Sequence, residues 1–518
     1  MTQIPHALLC ETVTGATMHE LLMARDVATT GDLVELRLDG VQDVDVAGAL
    51  AGRRTPVVVT CRASWEGGRF DGSEEERQAI LLRALDGGAE YVDVEWRAGF
   101  DAVIRRDPGR VVVSFHDFTG VPAGLDDRVA AMRRTGAGTI KIAYAASRLC
   151  DTLPLRTIGR EGGAVVVGMG EAGVPSRLLA SQYGSRWTFA GNAVAPGQMP
   201  ARRMCETFRF REVGDGTRLF GVVSRTAMHS LSPVMHNRAL AAAGLDAVYV
   251  PLTTDDFDDF LAYADAMGLE GASVTIPFKL AALRAARGAD TVATAVGAAN
   301  TLRRDKGKGN SDGKSNGKSE SEGWAATNTD VEGFLEPLGA VFQRGLGGVR
   351  AAVLGAGGSA RAVVVALVSR GAHVTVHARR FDQAQAVASQ GGAEPGEWPP
   401  APGSWDLLVN CTPLGGAGRR RESPLDASAF DRVAPSGGVV YDLTYGEGDS
   451  ALIDQARRAG CTVLDGLPML IAQAERQFAW WTGQRPSPGV MRAAAWAALG
   501  RTAEAAAPNS TNRSEKAV

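Results

Sequence analysis

From about residue 6 to 212, short β-branched apolar runs alternate with stretches whose apolar positions recur at helical spacing, the pattern of a parallel sheet wound with helices. Candidate strands fall at 33–37, 57–61, 91–94, 111–114, 139–142 and 164–168. Arg37, Arg62, Glu95, His116 and Lys141 close or follow these strands. Side chains from several strand ends meet most readily at the top of a (β/α)8 barrel, so the pattern predicts that α/β fold. The stretch 211–218, REVGDGTR, is polar and carries two glycines, which places a domain boundary there; a second α/β unit opens at Leu219. From Val349, strand, glycine turn, helix and strand follow in order (AAVLGAGGSARAVVVALVSRG, then HVTVHARR), a dinucleotide-binding βαβ unit.

Two segments break this alternation. Residues 305–323 are almost entirely Gly, Ser, Lys, Asn and acidic residues, too poor in apolar surface to offset ordering entropy, and the tail reads likewise. Both are expected to be disordered, and 392–404 is a Pro/Gly-rich loop. The expected division is a barrel over 1–212, a substrate lobe over 217–335 carrying the insertion, a Rossmann-type lobe over 336–502 whose last helices return to the substrate lobe, and a tail over 503–518.

Composition narrows the class. A chain of 518 residues exceeds what one hydrophobic core usually serves. With 45% hydrophobic and 22% charged residues and a formal net charge of -3, it has neither a nucleic-acid footprint nor an attraction for acidic membranes. The six cysteines, at 10, 61, 150, 205, 411 and 461, lack CxxC spacing, which disfavours a zinc site and a disulfide framework and points to a reducing compartment. No metal is expected. The start, MTQIPHALLCETVTG, has no basic region before a long apolar run, and no stretch approaches about 18 uninterrupted apolar residues. A cytoplasmic small-molecule enzyme is expected, with no nucleic-acid or membrane partner; oligomeric state is not readable.

The chemistry-bearing residues fall into two sets. Lys141 at a strand end can offer an amine to a ketone, and His116 can act as the matching acid/base. A protonated Schiff base acidifies the adjacent carbon, and imidazole can then take that proton and return one to a departing hydroxyl. Arg37, Arg62 and Arg177 can hold a carboxylate and hydroxyls, with Glu35 and Glu66 orienting them. Arg37 and Arg62 fit equally well as structural partners of Asp39, Asp93 or Glu95. In the second set, Lys279 and Asp330 form a proton-handling pair, and Ser230 and Ser232 form either a carboxylate clamp or caps of the helix near Pro233. Where NAD sites carry an acidic residue after the second strand, Ala378-Arg379-Arg380 stands here, which matches a 2′-phosphate and favours NADP.

The motifs ELRLD, TCRASWEGG, YVDVEW, SFHDF, KIA, SRLLASQYGS and APGQ resemble the type I 3-dehydroquinate dehydratases across roughly 8–205. That resemblance implies that Lys141 forms the imine and His116 is the general acid/base. It further implies that Glu35, Arg37, Arg62 and Glu66 line the hydroxyl side and that Arg177 with Gln198 meets the carboxylate. Val194 stands where that family usually has serine. Over roughly 219–482, HSLSPVMHN, GASVTIPFK, GAANT, NTD, GAGGSARA, NCTPLG, YDLTYG and DGLPMLIAQA are similar to shikimate dehydrogenases. By that similarity Ser230, Ser232, Thr275, Asn300, Asp330 and Gln473 bind shikimate, Lys279 and Asp330 are the catalytic pair, and Tyr445 borders the substrate. Gly355, Gly357, Gly358, Ser359, Ala360, Arg379, Arg380, Thr412 and Gly466 serve NADP. Ser224-Arg225-Thr226 replaces that family's usual Gly-x-Pro, and the 305–323 insertion interrupts the hairpin expected between Asn300 and Asp330.

Together the two resemblances imply a bifunctional enzyme that dehydrates 3-dehydroquinate to 3-dehydroshikimate and reduces it to shikimate with NADPH. The alternatives are a second domain that uses quinate and NAD, or a sensor that binds these metabolites without turnover.

Overall fold

The computed structural model describes residues 6–192, 195–305, 323–430 and 437–501. Val194, most of the 305–323 insertion and the tail lie outside the described residues. Contacts divide the chain into two compact units, 1–233 with 246–270 and 234–245 with 271–518.

In the first unit eight strands run parallel: β1 Leu8–Val13, β2 Leu33–Arg37, β3 Val57–Thr60, β4 Tyr91–Glu95, β5 Val111–Asp117, β6 Thr139–Ala145, β7 Ala164–Met169 and β8 Trp187–Ala190. Ladders join them in the order β7-β6-β5-β4-β3-β2-β1-β8. Alternation along a strand sends every second side chain to the same face. One face therefore carries Val58 then Thr60, Tyr91 then Asp93, Val112 then Ser114 and His116, and Thr139 then Lys141 and Ala143. Cys10, Leu33, Val58, Val112, Val165, Trp187 and Phe189 form its apolar core. Above that core lies a layer of buried polar groups: Glu35, Thr60, Asp93, Glu95, Ser114 and Lys141.

The expected barrel forms, with a distinctive seam. No ladder joins β7 to β8; Arg186 N donates to Ala164 O (2.9 Å), and the Ser185 hydroxyl accepts from Val166 N (3.0 Å) while donating to Trp187 O (2.7 Å). One serine thus stitches the two strand starts. The same unit holds β9 Arg218–Ser224, paired in parallel with β10 Ala247–Thr253.

In the second unit, β11 Gly271–Val274 runs antiparallel to β13 Thr301–Asp305, β13 antiparallel to β14 Gly323–Thr327, and β12 Gly288–Ala289 parallel to β14. Asp305 is paired with Gly323, so the insertion leaves and re-enters at a closed hairpin end. The last six strands, β15 Arg350–Leu354, β16 His373–His377, β17 Glu394–Gly396, β18 Leu407–Asn410, β19 Val439–Asp442 and β20 Thr462–Leu464, are all parallel in the order β17-β16-β15-β18-β19-β20. Numbered from β15 this is 3-2-1-4-5-6, the Rossmann order, in which ligands lie beyond the strand ends where the winding reverses. Among the described residues no helix is long and apolar enough to cross a membrane.

Candidate active sites

At the carboxyl ends of the barrel strands a cavity of about 100 Å³ is lined by Glu35, Arg37, Arg62, Glu66, His116, Lys141, Arg177 and Gln198. All eight barrel residues singled out in the sequence thus meet in one place. Lys141 Nζ lies 3.2 Å from Asp93 Oδ2 and 3.8 Å from Glu35 Oε1, and 4.1 Å from the centre of the Phe189 ring. Two carboxylates and an aromatic face fix the direction of the amine. Glu35 is itself held by the hydroxyls of Thr12 (2.8 Å) and Thr60 (2.9 Å).

His116 Nδ1 and Glu66 Oε1 are 2.9 Å apart, and the same oxygen accepts the His116 backbone N–H at 3.1 Å. A proton held on Nδ1 leaves Nε2 with its lone pair, the tautomer a general base needs. Burial, reinforced by the charges of Arg62 and Lys141, holds His116 well below the ordinary imidazole value and so keeps it neutral. Burial also pushes the Glu66 carboxyl up to about 7, with Glu95 and Asp93 adding to the effect against Arg62. The other oxygen of Glu66, Oε2, is buried with no hydrogen-bond partner among the described residues and can accept from a hydroxyl.

The three arginines differ sharply. Arg37 grips Asp39 through Nε (2.8 Å) and Nη2 (2.9 Å) while lining the cavity. Arg62 reaches Asp93 (2.8 Å), Glu95 (3.1 Å) and the Ser114 hydroxyl (2.7 Å). Arg177 is only 2% exposed and, among the described residues, donates only to the carbonyls of Phe189 (3.3 Å) and Pro196 (3.2 Å). Its Nε is unsatisfied, and among the described residues it makes no ion pair. Burial pulls its guanidinium down to about 10. A buried cation facing a cavity without an anion of its own is a carboxylate receptor. Arg37 and Arg62 are therefore both lining groups and partners of structural carboxylates, whereas Arg177 is neutralised by none.

Sequence reasoning passed over Thr12, Phe189 and Ser114 and treated Asp93 only as an ion-pair partner. The available signal was strand parity, since Thr12, Asp93 and Ser114 share the inward face with the predicted residues.

In the second unit Lys279 Nζ is 2.5 Å from Asp330 Oδ2 and donates to the Ser359 hydroxyl at 3.2 Å. Asn300 Nδ2 donates to the other oxygen of Asp330 (2.7 Å), to Thr329 Oγ1 (2.9 Å) and to Gln473 Oε1 (3.3 Å). Lys279, Asp330, Asn300, Gln473 and Ser359 thus form one connected group. Asn328 Oδ1 accepts the Asp330 backbone N–H (3.0 Å), anchoring the turn that presents the carboxylate. Thr275 closes the turn before Lys279, its carbonyl accepting Phe278 N (2.8 Å). Ser230 and Ser232 belong to the first unit, where Ser230 Oγ accepts Ser232 N (3.1 Å) at the start of the helix Ser232–Ala242. That bond closes a tight turn just ahead of the helix.

The helix Gly358–Val368 opens at Gly357 with no side-chain cap, so its first N–H groups face outward. Gly355 adopts φ +107°, and a Cβ there would press on Cys411 and Thr412. A Cβ at Gly358 would lie 2.9 Å from the Lys279 side chain, which therefore lies close beside this turn. Ala360 is buried in the helix's first turn. A Cβ on Gly466 would meet the Leu443 carbonyl at 2.1 Å, and Gly466 N bonds Thr444 O (3.1 Å), fixing the loop that carries the half-buried Tyr445. Arg379 and Arg380 are exposed after β16. Arg380 is engaged by Asp382 (2.7 Å), whereas Arg379 makes no ion pair among the described residues.

A barrel gathering an amine, an imidazole–carboxylate pair and an unneutralised guanidinium, followed by a lysine–aspartate pair against a Rossmann turn, defines a two-site enzyme, lyase and oxidoreductase on one chain. The sequence matches the family models described as type I 3-dehydroquinase over 9–215, shikimate dehydrogenase substrate-binding domain over 222–302, and shikimate 5'-dehydrogenase C-terminal domain over 466–495. A bifunctional 3-dehydroquinate dehydratase/shikimate dehydrogenase of Arabidopsis thaliana is 30% identical over 503 residues, covering 92% of this chain and 82% of that protein. An NADP(+) shikimate dehydrogenase of a Nostoc species is 34% identical over 54% of this chain and 96% of its own length. The solved shikimate 5-dehydrogenase of Thermus thermophilus in complex with shikimate is 34% identical, covers 55% of this chain and 99% of that one, and superposes with a TM-score of 0.45. The chain belongs to the family of bifunctional 3-dehydroquinate dehydratase/shikimate dehydrogenases.

Proposed function

We propose that this chain converts 3-dehydroquinate to 3-dehydroshikimate in the barrel and reduces that ketone to shikimate with NADPH in the second half. By chemistry the division falls near 211–218. The observation that carries the reading is the meeting of Lys141, the His116–Glu66 pair and the unpaired Arg177 at one cavity. Arg177, with Gln198, receives the substrate carboxylate. Lys141 Nζ attacks the ketone carbon and water leaves, giving an iminium. The iminium draws electrons from the neighbouring C–H bond, whose proton His116 Nε2 accepts. The same imidazole then protonates the departing β-hydroxyl, and hydrolysis frees Lys141. Net loss of one water leaves the enone.

In the second half the residues fit a dinucleotide: the uncapped helix start accepts a pyrophosphate, and Arg379 is free to read a 2′-phosphate, which favours NADP over NAD. When bound, the reduced cofactor supplies the hydride. Lys279, aligned by Asp330, gives its proton to the ketone oxygen, while Asn300 and Gln473 hold ring hydroxyls and Ser230 and Ser232 the carboxylate. Six cysteines free of disulfides suit a reducing cytoplasm.

The test is to add 3-dehydroquinate and NADPH to purified protein, following the enone absorbance and NADPH consumption. A parallel sample is quenched with borohydride. The reading requires both signals, with the reduced adduct on Lys141; an adduct mapping to another lysine, or binding without turnover, defeats it.

A further inference from the structure

Two residues of the barrel cavity, Arg62 and Glu66, stand on the loop that follows β3. That loop is anchored by a buried ion pair outside the cavity lining. Arg77, in the first turn of the helix Glu74–Asp86, and Glu95, at the end of β4, are both 0% exposed. Arg77 Nη1 is paired with Glu95 Oε2 and also donates to Cys61 O (3.3 Å). The other oxygen of Glu95 accepts Arg62 Nη1 (3.1 Å) and Ala63 N (3.2 Å). The pair thus fixes the carbonyl before Arg62, the amide after it and the guanidinium itself.

Ala63 carries the anchorage on to Glu66. Its carbonyl accepts the N–H groups of Glu66 (3.1 Å) and Gly68 (2.9 Å), closing the turn Ser64–Glu66 whose last residue meets His116. On its outer side Arg77 is enclosed: its guanidinium lies 4.6 Å from the centre of the Phe100 ring and 5.9 Å from that of Trp65, and Glu74 accepts its Nε at 3.1 Å. Trp65 belongs to the same turn and donates to Glu74 in its own right (3.1 Å). A buried ion pair adds little net stability over apolar residues of equal volume, so its value lies in what it fixes.

We infer that Arg77 and Glu95 are positioning residues for the dehydratase: their buried pair fixes where Arg62 and Glu66 stand against the substrate. The inference rests on the reading of the barrel as that dehydratase. It has an electrostatic side as well. Glu66 is faced by Arg62 from its own loop, Glu35 and Arg37 from β2, Asp93 and Glu95 from β4, His116 from β5, Lys141 from β6 and Arg177 from the helix Val174–Leu178. The Glu95 charge is one of those that push its carboxyl up to about 7, and Arg77 offsets that charge. Removing Arg77 alone therefore strengthens the push, removing the Glu95 charge alone relieves it, and removing both leaves it nearly as it was.

Full-length Arg77→Met, Glu95→Gln and the double variant test it. The rising limb of dehydratase kcat/KM should move up by about half a pH unit or more in Arg77→Met, down by a similar amount in Glu95→Gln, and return to within about 0.2 of its place in the double variant. The plateau above the limb should fall about fivefold or more in both chains that lack Arg77. If Arg77→Met does not fold, the double variant and Arg77→Lys, which keeps the charge without the fork, decide: the limb should stay in place in each while the plateau falls. Limbs displaced the same way in the two single variants would mean general loosening and would overturn the inference. So would an unchanged plateau without Arg77, since the pair would then serve the core alone. The His116 imidazole resonances, followed with pH in the ligand-free protein, report the same Glu66 ionisation without turnover. An unaltered chain that fails to dehydrate 3-dehydroquinate would sink the functional reading, and this inference with it, while those resonances would still show whether the pair governs Glu66.

Discussion

Arg177→Met separates a substrate receptor from a structural cation. The guanidinium is buried, pulled down to about 10 by desolvation, and compensated among the described residues by two long carbonyl contacts. That depression corresponds to a burden of order 3 kcal/mol on the charged form at neutral pH. Methionine removes the burden and also the two bonds, worth about 1 kcal/mol each, so stability should change by no more than about 1 kcal/mol. Substrate affinity behaves oppositely. A charge-assisted pair with the carboxylate is worth about 1.5–3 kcal/mol, or about 10- to 150-fold, and the loss should appear mainly in the dehydratase KM. Arg62→Met provides the contrast, because it strands Asp93 and Glu95 and should cost about 3–5 kcal/mol. Enone formation across substrate concentrations and thermal melts of both variants suffice. An Arg177→Met protein with unchanged KM, or one that melts as early as Arg62→Met, would refute the reasoning.

Three further outcomes follow from named geometry. Because Glu66 is pushed up to about 7, its ionisation strengthens His116 as a base, so dehydratase kcat/KM should climb through about pH 7 and Glu66→Gln should flatten that limb. The raised carboxyl favours the folded state below the usual carboxylate value and loses that contribution as pH rises through about 7, so the melting-temperature advantage over Glu66→Gln should shrink between pH 5 and 8, both about the two pKa values; a constant difference contradicts the assignment. Arg379→Ala should weaken NADPH more than NADH, and equal losses would show that the phosphate is read elsewhere. Since Asp305 and Gly323 are paired, replacing 306–322 with Asn-Gly should leave both activities and the melting temperature nearly unchanged; a large drop in either counts against it.

Much of the candidate site was legible because its side chains are tied to local pattern. Lys141, His116, Arg37 and Arg62 stand at the ends of apolar runs, and a parallel sheet brings such ends together. The glycine turn was legible for a similar reason: Gly355 and Gly358 answer to backbone angle and to the space a Cβ would take. What escaped was partnership. Nothing near Arg177 in the chain says that it lacks an anion while Arg62 has two. Nor does the polar look of 211–218 reveal that its residues are spent on Asp32, Arg160 and Gln182 rather than on solvent.

By itself the sequence determined the inward and outward faces of the strands, the order of elements and the residue types available to each chemistry, because these obey periods of two or 3.6 residues and the conformational range of single residues. Only the tertiary structure decided which buried charge neutralises which, and that Ser185 rather than a ladder closes the barrel seam. Those outcomes depend on distances of a few ångströms between residues tens to hundreds of positions apart, such as Leu149 and Asp259. Desolvation makes each such pairing nearly obligatory once the groups are buried, but only the folded chain selects the partner.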